Sequence, residues 1–162
     1  IIDPGPPATH SGKPVVQPKL STGPQQRVIR SMLFGDIKGF SKLRESQLPV
    51  LVTNVLGRFA SVLDGYDDQI LFRNTWGDGI FVVLPNVSVA AQCAMDLQAA
   101  MKDLDLQHAG LPEHLALRLG GHVGPVFESY DPVLKVPNFF SSHVSRTASI
   151  EPVTPEGQVY VT

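Results

Sequence analysis

A single cysteine, Cys93, among 162 residues excludes an internal disulfide. It falls in an alanine-rich stretch beside Ala94 and Met95 and is expected to pack as a small hydrophobe, which suits a reducing compartment; the expected location is the cytoplasm. Charge of one sign is equally scarce. With 13 Lys and Arg against 15 Asp and Glu, the net charge of -2 supplies no basic field for wrapping nucleic acid. No apolar run approaches the ~20 residues that cross a bilayer, so no membrane segment is expected. The chain opens Ile1-Ile2-Asp3-Pro4 without a basic-then-apolar leader or a starting Met, which suggests a domain cut from a longer protein. His10, His108, His114 and His143 lack the spacing of zinc ligands, and there is no internal repeat.

What the chain does have begins with proline. Residues 1–26 carry Pro4, Pro6, Pro7, Pro14, Pro18 and Pro24 among Gly, Ser, Thr and Gln, and read as a linker or arm joining residues 27–162 to an upstream domain. From Arg27, the run Val28, Ile29, Met32, Leu33, Phe34 predicts a strand covered on both faces and ended by Asp36. Pro49 marks a first helical turn, and Val52, Val55, Leu56, Phe59, Val62 and Leu63 follow at helical spacing until Asp64-Gly65. Strands are predicted over 69–73 and 79–84, joined through Asn74–Asp78. A helix over 88–104, with Ser88 as N-cap and Ala91, Ala94, Leu97, Met101 and Leu104 inward, comes next. An alternating strand through Leu115, Leu117 and Leu119 to Val126, a helix over 142–150 and a strand over 158–161 complete the series. The order predicts an α+β fold: a ferredoxin-like βαββαβ sandwich with an appended αβ segment.

Two apolar runs each deliver one aspartate into a glycine-rich turn: Phe34-Gly35-Asp36-Ile37-Lys38-Gly39-Phe40-Ser41 and Trp76-Gly77-Asp78-Gly79. Alone, the second is an ordinary type I′ hairpin turn. The first places Asp36 at a strand end just before a helix, where free backbone amides can receive phosphate. Two carboxylates with an amide nest form a plausible metal–nucleotide site.

These blocks, together with Gly121-His122-Val123-Gly124-Pro125-Val126 and 144–151, resemble in order and spacing the catalytic domain of class III adenylate/guanylate cyclases, over roughly residues 30–162. The resemblance implies a reaction: the ribose 3′-hydroxyl of a nucleoside triphosphate attacks the α-phosphate, giving a 3′,5′-cyclic nucleotide and pyrophosphate. It also implies two Mg²⁺ or Mn²⁺ per site, held by Asp36, Asp78 and the Ile37 carbonyl, with the amides of Lys38, Gly39, Phe40 and Ser41 on the phosphates and Gly77 in the second loop. The Lys38 side chain reads more simply as a solvated charge. Such domains work as head-to-tail homodimers, one subunit bringing the metals and the other the base and ribose contacts.

The chain departs from this pattern in places. Base-reading positions that usually carry Lys or Glu and an acidic partner are Asn74 and Asn138, which leaves the base open, since an amide can donate or accept. The catalytic Asn and Arg of the late helix are replaced by Ser145 and Ser149, and Arg146 stands one residue out of register, about 100° around the helix. The resemblance puts the family's last hairpin, which usually carries a Lys for the triphosphate, after Thr162. Losing the Arg would cost ~100- to 1000-fold in rate. A degenerate cyclase domain that binds nucleotide or dimerises without turnover is therefore the alternative expectation. A ferredoxin-like nucleic-acid binder is disfavoured by the missing basic face and stacking aromatics. His122 reads as a hydrogen-bonded structural residue and Asp64, Asp67 and Asp68 as a solvated helix end.

Overall fold

The computed structural model describes residues 26–162; the arm expected over 1–26 lies, except for Gln26, outside them. Strand β1 spans Arg27–Lys38 and runs two residues past Asp36, the expected end. Two single 3₁₀ turns, Phe40–Lys42 and Glu45–Gln47, separate it from the first helical segment. That segment is α1 (Leu48–Leu51, opened by Pro49), a π-helical turn Val52–Leu56, and α2 (Gly57–Asp64). Then come β2 (Phe72–Trp76), β3 (Gly79–Leu84), α3 (Val87–Lys102), β4 (Ala116–Asp131), β5 (Val136–Phe140), α4 (Ser142–Ile150) and β6 (Val159–Val161).

The strands form one sheet in the order β2-β3-β1-β4-β5, antiparallel throughout, with β6 pairing β4 in parallel. β2-β3-β1-β4 is the ferredoxin-like arrangement expected from the sequence. The π turn and β5 were not anticipated. β5 contains Pro137, which lowers its strand signal, but it sits at the sheet edge where proline is tolerated.

β1 is covered on both faces, as its apolar run requires. Leu33 and Ile37 enter a core shared with Leu51, Phe59, Leu97 and Leu117 beneath the helices. Met32 enters a second, smaller core with Val83, Val126 and Phe139, against which Val144 of α4 packs. Period-two alternation therefore turns Asp36, like Met32, toward the α4 side of the sheet.

Four local expectations are corrected. β2 begins at Phe72 and takes in Asn74, Thr75 and Trp76, so the hairpin loop is only Gly77-Asp78. Gly77 has φ 60° while Asp78 does not have a positive φ, as type II′ rather than type I′ geometry needs. α3 is capped by Asn86, whose Oδ1 accepts from Val89 N, and not by Ser88. The helix buries Ala90, Cys93, Ala94, Leu97 and Met101 and leaves Ala91 exposed, its inward stripe being centred on Ala90, Ala94, Leu97 and Met101. Cys93 packs in the core as expected, and burial raises its thiol pKa to about 11.

Candidate active site

The two aspartates meet at one end of the sheet. The Gly77-Asp78 loop folds Asp78 back onto β1, where its Oδ2 accepts from Ile37 N at 3.0 Å. Asp36 and Asp78 line one cavity of about 410 Å³ with Ile37, Lys38, Gly39, Phe40, Ser41, Lys42, His114 and Arg118. Desolvation, with a contribution from the Asp36 charge, raises the pKa of Asp78 above the ordinary carboxylate value, against the opposing effect of the Ile37 N–H bond.

Arg118 is the residue that motif reading missed. It stands opposite Asp36 in the β1–β4 register, and its guanidinium grips that carboxylate with two bonds, Nε to Oδ1 at 2.8 Å and Nη2 to Oδ2 at 2.5 Å. The signal was present in the alternation of β4, where Leu117 and Leu119 face the helices and Arg118 must face the other side.

The phosphate loop differs from expectation in its support. The helix proper starts only at Leu48, so the amides after Asp36 stand on the 3₁₀ turn and not on a helix N-terminus. Gly39 at the head of this turn has φ 90°, and a Cβ there would come within 3.2 Å of His114 and 3.1 Å of Leu115. Only glycine fits. The turn closes through Lys42 N to Gly39 O and Leu43 N to Phe40 O, which leaves the N–H groups of Phe40 and Ser41 to face a ligand. Lys38 forms an ion pair with Glu156 in the loop before β6, and that contact lowers the Glu156 pKa.

The donor set suits divalent cations. Among the described residues no group of three or more His, Cys, Asp or Glu comes together, so Asp36 and Asp78 with a main-chain carbonyl are what the chain offers. One or two carboxylates completed by phosphate oxygens is how Mg²⁺ is usually held beside a nucleotide.

A second cavity, about 310 Å³, lies between the sheet and α4 and is lined by Phe34, Asn74, Thr75, Trp76, Gly79, Phe81, Val144, Ser145 and Ala148. No residue lines both cavities. Trp76 is 90% exposed, a rim residue. Of the remaining sequence-predicted residues, Gly77 sits in the turn between the two cavities, while Asn138, Arg146 and Ser149 line neither. Asn138 on β5 is tied to its own hairpin, donating to Asp131 and accepting from Phe139 N. α4 rests on the sheet through Val144 and Thr147, which turns Ser145, Arg146 and Ser149 to solvent. Ser149 Oγ donates to Ser145 O at 3.0 Å.

Other side chains have structural partners. His122 is buried; its Nδ1 lies 2.9 Å from Thr162 O, and its Nε2 lies 2.6 Å from His143 Nδ1, so it ties β4 to α4 and β6. Desolvation lowers its pKa. Asp64 and Asp67 pair with Arg73 at the surface. No described helix is long and apolar enough to cross a membrane.

Comparison with known proteins accords with this geometry. The model of the adenylate and guanylate cyclase catalytic domain matches residues 24–162. No curated protein matches the chain. Among solved structures, the guanylyl cyclase Cya2 is 21% identical, with a TM-score of 0.71 over 85% of this chain and 76% of its own. The adenylyl cyclase CyaB of P. aeruginosa is 20% identical, with a TM-score of 0.72 over 86% and 79%. The guanylate cyclase domain of RhGC from Catenaria anguillulae, solved with GTP, is 17% identical, with a TM-score of 0.67 over 83% and 78%. At these identities the structures speak for the fold alone, and the family match, spanning all the described residues, carries the assignment. The chain belongs to the adenylate and guanylate cyclase catalytic domain family.

Proposed function

We propose that the chain is a metal-dependent nucleotidyl cyclase that converts a nucleoside triphosphate to its 3′,5′-cyclic nucleotide and pyrophosphate at a head-to-tail homodimer interface. The observation that carries this reading is the convergence of Asp36 of β1 and Asp78 of the β2–β3 loop in one cavity with the Gly39 turn. Two divalent cations there would lower the pKa of the attacking 3′-hydroxyl and neutralise the triphosphate. Asp36, Asp78 and the Ile37 carbonyl would hold them, and the N–H groups of Phe40 and Ser41 would take the phosphates. Arg118, which holds Asp36 by two hydrogen bonds, would turn to the same phosphates where cations engage the carboxylate. The dimer reading is supported by the separation of the two cavities: Asn74 and Ser145 lie in one and the aspartates in the other, as two copies sharing a site would have them.

A second reading, nucleotide binding or dimerisation without turnover, is favoured by one feature. Ser149, where the family pattern has a cation, is bonded to its own helix, and nothing of opposite charge to the reacting phosphate stands on that face except the off-register Arg146. Incubation with Mn²⁺ or Mg²⁺ and each of the four triphosphates, read by mass spectrometry, tests both. A cyclic product abolished by Asp36→Ala supports the cyclase; none with any triphosphate supports the second reading. The arm over residues 1–26 is proposed to link this domain to an upstream one.

A further inference from the structure

One end of the sheet is bare on the face that the core helices cover elsewhere. Leu33 and Ile37 lie beneath those helices, and period-two alternation puts Arg27, Ile29 and Ser31 on the same face, opposite Phe127, Pro125 and Val123 of β4. α3 begins only at Val87, and past that point the face is open: Ile29 is 59% exposed, and Val87 and Val161 at its border are 53% and 63% exposed. The other face of these strands is closed, with Val28 packed against buried Met32 and Val126. The bare end is apolar except for Arg27, whose guanidinium lies over the Phe127 ring. Inward, it runs into a cavity of about 40 Å³ between α3 and β6, lined among others by Ser31, Val123, Val159 and Val161. The Ser31 hydroxyl is buried there without a hydrogen-bond partner among the described residues. An exposed apolar face leading to an unmatched buried hydroxyl is the mark of a surface that something else covers.

We infer that the chain's own arm covers it, with residues 14–20, which lie outside the described residues, laid back along this face. The arm runs directly into Arg27, at the bare end itself. Between residues 3 and 26 its only large aliphatic side chains are Val15, Val16 and Leu20. Gly23-Pro24 is a turn signal, and a reversal there brings Leu20 level with Arg27 and Ile29. Val16, four residues and ~13 Å further along an extended chain, then comes level with Ser31 and Val123. Pro14 and Pro18 favour an extended form that needs no strand partner, so the contact is made by side chains. The arm's carbonyl groups, or the Gln17 amide, give the Ser31 hydroxyl its missing partner. The inference does not depend on nucleotide chemistry; it straps the arm to the amino end of β1, the strand that bears Asp36 near its other end.

Paramagnetic relaxation in the full chain tests it. A nitroxide attached at Val161→Cys, remote from the arm in sequence, should erase most of the amide signal intensity of residues 14–20; Cys93 is buried and does not compete for the label. Adding Val16→Asp and Leu20→Asp should restore those signals, and the same pair without the label should lower the melting temperature by a few degrees. Arm signals untouched by the label overturn the inference. So does broadening that survives the two aspartates, or a melting temperature that they leave unmoved. Broadening that arises only between a labelled chain and a separate isotope-enriched chain also overturns it, because a second copy would then occupy the face.

Discussion

The two cavities on this domain are finished to different degrees. At the end of β1, both aspartates and Lys38 have counterparts: Asp36 with Arg118, Asp78 with the Ile37 amide, Lys38 with Glu156. On α4, Ser149 donates only to the Ser145 carbonyl of its own helix, and Ser145, Arg146 and Ser149 are all exposed. On the proposed function, the half that would bind metal and phosphate is preassembled, whereas the half that would stabilise the transferring phosphate is reduced to hydroxyls. Binding and turnover should therefore come apart in this protein, with nucleotide affinity robust and rate low.

Breaking the finished half gives the largest effect. Asp36→Ala should lower cyclic-nucleotide formation by ~100-fold or more while the domain stays folded, as circular dichroism would show. Repairing the other half comes next: Ser149→Arg should raise turnover by ~10-fold or more with little change in triphosphate affinity. A slower variant would mean that this face of α4 does not approach the reacting phosphate. Gly39→Ala should cost about 1–2 kcal/mol of stability by denaturant titration and weaken triphosphate binding several-fold, because φ 90° suits glycine and the Cβ would press on His114 and Leu115.

The smallest effects separate the regions by pH. Asp78 has a raised pKa, so it opposes folding once the pH passes the ordinary carboxylate value of 3.8, increasingly so as the pH climbs through the raised value. Asp78→Asn should raise the melting temperature at pH 7, by no more than about 2 °C for a half-exposed group, and not at pH 3. His122 behaves oppositely. Its pKa is lowered from 6.5, so the native state loses stability as the pH falls below that value, toward the lowered one. His122→Gln should flatten that acid limb, and differential scanning fluorimetry across pH would show both slopes.

The legible parts of the molecule were those where a periodic pattern met strong punctuation. β1, the helix opened by Pro49 and α4 could be placed from apolar spacing, and the paired aspartates could be located because each ends an apolar run in a glycine turn. The π turn at Val52–Leu56 was illegible because it leaves apolar spacing nearly unchanged. β5 was hidden by Pro137, and the Asn86 cap by a serine two residues on that competes as a capping residue. Arg118 and the His122–His143 contact depend on cross-strand register and helix docking, which bring together residues with no local signature. The two amides, Asn74 and Asn138, were visible as departures from the family pattern, but that Asn74 lines the cavity beside α4 and Asn138 does not is decided by the fold.

The most direct test is complementation between separately damaged copies. Asp36→Ala removes the metal half, and Ala148→Trp fills the aromatic cavity; both would be made in the Ser149→Arg background so that turnover is easily read. Each variant alone should be silent. Mixed in equal amounts, they should recover about a quarter of the undamaged activity, since half the dimers of a two-fold assembly would be mixed and each would hold one intact site. A mixture as silent as its components would contradict the claim that one active site draws its two cavities from two chains.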